Sequence, residues 1–244
     1  MTPRPRDRKR RPRALVTGGA VRVGRAIALA LAGAGMDVAI GFHRSVTAAR
    51  ATVRDLEAAG ARAVALRADL ADAGAARALV AGAARGLGGL DVLVNSAAVF
   101  HPTPLATLTP AQFDHLLHVN LRAPVFCAQA AAGRMAPGGH IVNIGDVIAS
   151  LSRPGWLAYT LSKAGVAALT RALAAELRPQ RIAVNCVAPG AVLKPDAMAD
   201  ARWRRIARGH EGRPEDVAAA VVFFATCPAY VTGQVLHVDG GETA

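Results

Sequence analysis

Seven short runs of this chain are apolar on consecutive or nearly consecutive positions: "RALVT" (13–17), "DVAIGF" (37–42), "RAVALRA" (62–68), "LDVLVN" (90–95), "GHIVNIG" (139–145), "RIAVNCVA" (181–188) and "QVLHVD" (234–239). Runs without strict alternation mark strands buried on both faces, as in a parallel sheet. Between them, helix-length patterns cover 22–34, 46–59, 72–87, 110–136, 156–177 and 214–226. The alternation predicts βαβ units. The expected architecture is α/β: a single-domain Rossmann fold, with a doubly wound parallel sheet of about seven strands and helices on both faces. Ligands of such sheets bind beyond the carboxyl ends of the strands. Candidate chemistry therefore lies just after each strand, at Gly18 to Gly24, His43 to Ser45, Asp69, Asn95 to Phe100, Asp146 and Pro189 to Lys194.

Composition adds size and compartment. With 244 residues, 52% hydrophobic and 19% charged, the chain can bury one sizeable core, here assigned to residues 13–244. The net charge of +12 is uneven: residues 1–13 hold seven Arg or Lys against one Asp. Prolines and like charges make 1–12 a basic disordered tail. An electrostatic arm for nucleic acid or an acidic membrane is the sharper reading, but no aromatic residues interleave with the charges, so nucleic acid is not an expected partner. The apolar stretch 26–36 is too short to span a bilayer, so no membrane is expected. Three widely spaced cysteines, Cys127, Cys186 and Cys227, suit neither a disulfide framework nor a metal site. They point to a reducing, cytoplasmic setting.

Two stretches bring in a cofactor. In "TGGAVRVGRAIA" (17–28), Gly18 and Gly24 bracket the entry into a helix, where backbone N–H groups can meet a pyrophosphate. The glycines are six apart, so this is not the G-x-G-x-x-G spacing. After the second strand, His43, Arg44 and Ser45 stand where an NAD site carries an acid. Cations there suit a 2′-phosphate, so NADPH is the expected cofactor.

A third stretch, "IGDVIASLSRPGWLAYTLSK" (144–163), supplies acid–base groups. Tyr159 and Lys163 are four apart and share one helix face. The ammonium favours the phenolate and lowers the Tyr159 pKa, which improves it as a proton donor. Asp146 stands thirteen residues before Tyr159. A carboxyl there can supply or relay a proton to a ring nitrogen, as reduction of a C=N bond requires. As an anion it would also raise the Tyr159 pKa. The plainer alternative is a loop-end or N-cap aspartate.

Seven motifs in order, "TGGAVRVG", "ADL" (68–70), "VNSAA" (94–98), "VNLRAP" (119–124), the Tyr159/Lys163 pair, "VNCVAPGAV" (184–192) and "VTGQVLHVDGG" (231–241), resemble the short-chain dehydrogenase/reductases. Within that superfamily, Arg22 in place of a second glycine, "FHRS", "VNSAAVFHPTPL" (94–105), "APGAVLKPDAM" and Asp146 in place of a serine resemble the pteridine reductases. The resemblance implies that Lys163 holds the nicotinamide ribose and that Asn120 orders a water beside it. It implies cofactor contacts at Gly18, Arg22, Val23, Gly24, His43, Arg44, Ser45, Asp69, Leu70, Asn95, Ala97, Tyr159, Lys163, Pro189 and Gly190. It places a pterin or folate-like substrate against Arg22, Phe100, Asp146 and Tyr159, with Asp146, Tyr159, Lys163 and Asn120 catalytic. Phe100 on position alone fits a core phenylalanine equally well. The implied activity is NADPH-dependent reduction of a pterin C=N bond by a homotetramer. The alternatives are an NADPH-dependent carbonyl reductase, of a 3-oxoacyl thioester or another ketone, and a non-catalytic NADP(H)-sensing or nucleic-acid-associated protein.

Overall fold

The computed structural model describes residues 10–194, 200, 201, 203 and 211–244. Its sheet has seven parallel strands: β1 (Arg13–Thr17), β2 (Asp37–Phe42), β3 (Ala63–Arg67), β4 (Val92–Asn95), β5 (His140–Ile144), β6 (Ala183–Pro189) and β7 (Val235–Val238), in the order β3-β2-β1-β4-β5-β6-β7. Every residue of β5 and β6 is buried, as the consecutive apolar runs require. The strand order reverses between β1 and β4, which pair from Ala14↔Val92 to Thr17↔Asn95. A crevice opens at the carboxyl end of that reversal.

Among the described residues, three helices of ten or more residues cover each face. Ala14, Val16, Val38, Ile40, Val94 and Val142 point to one side. There they meet α1 (Arg22–Gly33), α2 (Val46–Ala58) and the helix Pro214–Thr226, here α8. The alternate residues Leu15, Ala39, Leu93, Ile141 and Val184 face α3 (Ala73–Leu87), α5 (Ala123–Ala132) and α7 (Leu157–Glu176). Small residues at the contacts, such as Ala28 and Ala32 on α1 and Ala218 on α8, let the helices approach closely.

The structure departs from the expected elements in the 110–136 segment. It divides into α4 (Pro110–Leu117), a π-helical turn (His118–Arg122) and α5. Pro124 has no N–H to donate, which accounts for a break in the ladder at this point. The turn carries Asn120 inward, 2% exposed. A four-residue helix, α6 (Ile148–Leu151), follows β5 and is too short for a periodic signature.

At the amino ends of the inner strands, Arg10 and Arg13 pair with Asp91, each at 2.9 Å, and Arg11 with Asp37 at 3.3 Å. The Asp37 N–H also donates to the Pro12 carbonyl. Residues 10–12, expected in the tail, are thus anchored beneath the sheet, and residues 1–9 lie outside the described residues. No described helix is long and apolar enough to cross a membrane.

Candidate active site

An open cleft of about 1330 Å³ lies over the carboxyl ends of the strands. A site for one drug-sized ligand takes roughly 300–1,000 Å³, so this one has room for a dinucleotide and a second molecule. At its centre β1 ends in the turn before α1. Gly18 has φ +65°, and a Cβ there would lie 2.8 Å from the Ala97 Cα. A Cβ on Gly24 would lie 2.2 Å from the Gly18 carbonyl oxygen. No side chain caps α1 at Val21, so the first-turn N–H groups face the cleft without a capping oxygen. Arg22 takes φ +54°, a conformation that costs a non-glycine residue about 1 kcal/mol or more. Its guanidinium donates to the Lys194 carbonyl at 3.4 Å. Val23 and Ala97 line the same part of the cleft. The Thr17 hydroxyl accepts from the Ser96 and Ala97 N–H groups, both at 3.0 Å, and so fixes the β4 exit against β1.

The second-strand corner is open to solvent. His43, Arg44 and Ser45 are exposed and line the cleft. The Ser45 hydroxyl is not spent on capping α2. Arg67, at the end of β3, donates to the His43 carbonyl at 3.1 Å and adds a second guanidinium beside this loop. Asp69 approaches His43 at 3.8 Å, and Leu70 is buried below it.

The acid–base groups meet where β5 ends over α7. The Tyr159 hydroxyl donates to Asp146 Oδ2 at 2.8 Å. Asp146 Oδ1 accepts from the Ile148 N–H at 2.8 Å, so the carboxyl also performs the loop-end duty expected of the plainer reading. Burial pushes the Asp146 pKa up, although Ile148, Lys163, Tyr159 and Arg153 oppose it. Burial first, and then Asp146, push the Tyr159 pKa well above its ordinary value. This reverses the expectation that Lys163 lowers it. The Lys163 ammonium donates to the Ile144 carbonyl at 2.9 Å and lies 5.7 Å from the Tyr159 ring centroid. Burial lowers its own pKa against the pull of Asp146. Phe100, 46% exposed, is no core residue. It stacks on Trp156 at 4.3 Å between centroids and meets the Tyr159 ring edge-on at 4.8 Å. A flat aromatic wall therefore stands beside Tyr159.

Pro189 and Gly190 close the far side of the cleft after β6. Two expected site residues stand behind its wall. Asn95 donates to Asn143 at 2.9 Å within the sheet. The Asn120 amide is engaged by the Val99 N–H and C=O, at 2.8 and 3.0 Å, and by Ser162 at 3.2 Å. It braces the loop after β4 against α7.

The family model described as enoyl-(acyl carrier protein) reductase matches residues 19–243. The chain belongs to the short-chain dehydrogenase/reductases. A 3-oxoacyl-[acyl-carrier-protein] reductase of Staphylococcus aureus is 36% identical, over 93% of this chain and 96% of the relative. A short-chain dehydrogenase from Burkholderia cenocepacia, solved in complex with NADP, superposes with a TM-score of 0.90 at 40% identity. The match covers 96% of this chain and 98% of that one. A blue fluorescent protein from a metagenomic library, solved with NADPH, gives 0.90 at 37% identity, over 96% of this chain and 98% of that one.

In this short-chain dehydrogenase/reductase, several residues at the cleft escaped the sequence reading. Trp156 could have been found, since it stands three before Tyr159 and shares its helical face. Thr17 sits in the first motif, but its work is done through contacts 79 and 80 residues away. Arg153 and Glu242 line the cleft as an ion pair 89 residues apart in sequence, with no local signal.

Proposed function

We propose that this chain is an NADPH-dependent reductase of a polarised double bond, with Tyr159 as the proton donor. The observation that carries the reading is the Asp146–Tyr159–Lys163 cluster, held at the floor of a cleft large enough for a dinucleotide and a substrate. The cleft fits NADPH. The Gly18–Gly24 turn leaves no room for a Cβ, and the uncapped α1 N-terminus favours a pyrophosphate. His43, Arg44 and Ser45 would hold the 2′-phosphate, with Arg67 bracing their loop. Asp69 and Leu70 would meet the adenine, and Val23, Ala97, Pro189 and Gly190 the rest of the dinucleotide. Bound there, NADPH supplies the hydride.

The chain's own part is proton delivery and orientation. The Tyr159 hydroxyl gives its proton to the atom that gains negative charge. Lys163, buried one turn on, offsets the charge left on the phenol and would hold the ribose hydroxyls. Asn120 keeps the loop after β4 in place, and the water expected beside Lys163 remains part of this proposal.

For the substrate, the relatives favour a ketone. Those named as 3-oxoacyl-[acyl-carrier-protein] reductases fit C=O reduction better than the pterin chemistry suggested by the motifs. A 3-oxoacyl or related ketone is therefore the first reading. One observation favours a pterin as the second: the carboxyl of Asp146, its pKa raised by burial, can hold a proton for a ring nitrogen, beside the exposed face of Phe100. The test is NADPH oxidation followed by absorbance, with acetoacetyl thioester and dihydrobiopterin in parallel. Turnover of the thioester alone supports the ketone, and turnover of dihydrobiopterin alone reverses the order. Oxidation with neither would remove both. We also propose a homotetramer, consistent with the exposed Leu161, Phe223 and Leu236. A monomer in light scattering at micromolar concentration would refute it.

A further inference from the structure

The catalytic cluster does not use every charge in the cleft. Arg153 follows Asp146 by seven residues and lines the cleft, and its charge is among those that act on the Asp146 carboxyl. Its guanidinium is paired with the carboxylate of Glu242, two residues before Ala244. The Glu242 side chain is only 10% exposed and the Arg153 side chain 32%. This ion pair is part-buried, so both charges have given up some of their water to form it.

Both partners are held by built structure. On one side, Ser152 at φ +47° and Gly155 at φ +81° bend the chain sharply around Arg153 and Pro154. A left-handed serine is a strained position that the surroundings must enforce. The Gly155 carbonyl accepts from the Thr103 N–H at 2.7 Å, and the Thr103 hydroxyl accepts from the Ala158 N–H at 3.1 Å. The Arg153 loop is thereby tied to the segment after Phe100. On the other side, Asp239 accepts from the Gly241 N–H at 3.0 Å and the Thr243 N–H at 2.9 Å, which folds the C-terminal turn back toward Gly190. A Cβ on Gly190 would lie 3.0 Å from Glu242 Oε2, so the carboxylate sits against the strand-end residue that closes the cleft.

We propose that Arg153 is a specificity-determining residue that binds an anionic substituent of the substrate, and that Glu242 occupies the guanidinium as an internal stand-in until that anion arrives. The exchange keeps one guanidinium–carboxylate pair before and after binding, so the arginine keeps a carboxylate partner throughout. A neutral substrate would leave the Arg153–Glu242 pair closed. An anionic one gains a charge-assisted, bidentate contact, offset by release of Glu242 into solvent at the cleft edge. The proposal rests on the reductase reading and narrows it, to substrates that carry a carboxylate or phosphate away from the double bond.

The experiment compares matched substrates on the full-length protein with NADPH: acetoacetate against ethyl acetoacetate, and dihydrofolate against dihydrobiopterin. The quantity read is the ratio of kcat/KM, anionic over neutral, within whichever pair turns over. Arg153→Leu should lower that ratio about tenfold or more, chiefly through KM of the anionic member. Arg153→Lys should recover part of the loss, because it restores charge without the planar fork. Glu242→Gln should raise the ratio by removing the internal competitor, and it serves even where Arg153→Leu fails to fold. An unchanged ratio in Glu242→Gln, or a proportional loss on both members in the Arg153 variants, overturns the proposal and makes the pair structural. Should wild type turn over none of the four, the reductase reading fails separately. Calorimetric binding of acetoacetate and ethyl acetoacetate, and of folate and biopterin, to the wild type and Glu242→Gln then decides Arg153: a rise in anion preference supports it and no rise overturns it.

Discussion

Asp146→Ser separates the two substrate readings because the carboxyl accepts the hydrogen bond of Tyr159, the proposed proton donor. In the resting site the Tyr159 hydroxyl donates to Asp146 at 2.8 Å. To protonate a ketone oxygen, Tyr159 must first give up that hydrogen bond. A hydrogen bond to a charged group is worth about 1.5–3 kcal/mol. Serine at 146 can still accept from the Ile148 N–H but carries no charge, so the ketone reaction can gain up to that amount. At 1.36 kcal/mol per factor of ten, the ceiling is about ten- to 150-fold. A pterin substrate reverses the sign, because the proton for its ring nitrogen then comes from or through the carboxyl. Loss of a positioned general acid costs about 10²–10⁴-fold. The assay is steady-state NADPH oxidation with acetoacetyl thioester and dihydrobiopterin, on wild type and Asp146→Ser, with KM for NADPH as a check on cofactor binding. A rise on the thioester supports the ketone reading, and a collapse on dihydrobiopterin supports the C=N reading. Unchanged rates on both would refute any role of Asp146 in proton transfer.

Arg44→Asp should raise KM for NADPH about ten- to 150-fold and shift preference toward NADH, measured as the ratio of kcat/KM for the two cofactors; an unchanged ratio would remove Arg44 from the 2′-phosphate site. Gly24→Ala brings a Cβ to 2.2 Å from a backbone oxygen that has no side-chain freedom, so it should cost about 1–3 kcal/mol in denaturant unfolding and weaken NADPH in calorimetry. Asp146 also sets a pH dependence of stability. Burial raises its folded pKa above the ordinary 3.8, so between those values the folded state binds more protons than the unfolded one. Its contribution therefore falls as pH rises above about 4, and the Tm of Asp146→Ser relative to wild type should rise with pH from there. A relative Tm that falls with rising pH would contradict the raised pKa.

The sequence by itself determined the architecture. Parallel strands buried on both faces leave consecutive apolar runs, and helices between them leave a 3.6-residue period, so strand count, the positions of most helices and the strand-end location of the cleft were legible. Tyr159 and Lys163 were legible for the same local reason, since one helical turn places them together. The break at Pro124 was written in the sequence but hidden by apolar positions that continue across it. Tertiary structure alone decided the electrostatics. Spacing brought Lys163 near Tyr159 and suggested a lowered pKa, whereas the fold buries the phenol, turns its hydroxyl to Asp146 and sends the ammonium to the Ile144 carbonyl, so the pKa rises. Tertiary structure also set Phe100 on Trp156 and Arg153 on Glu242. Such pairs join residues 56 and 89 positions apart and leave no periodic trace, because desolvation and partner choice depend on what the whole fold packs around a side chain.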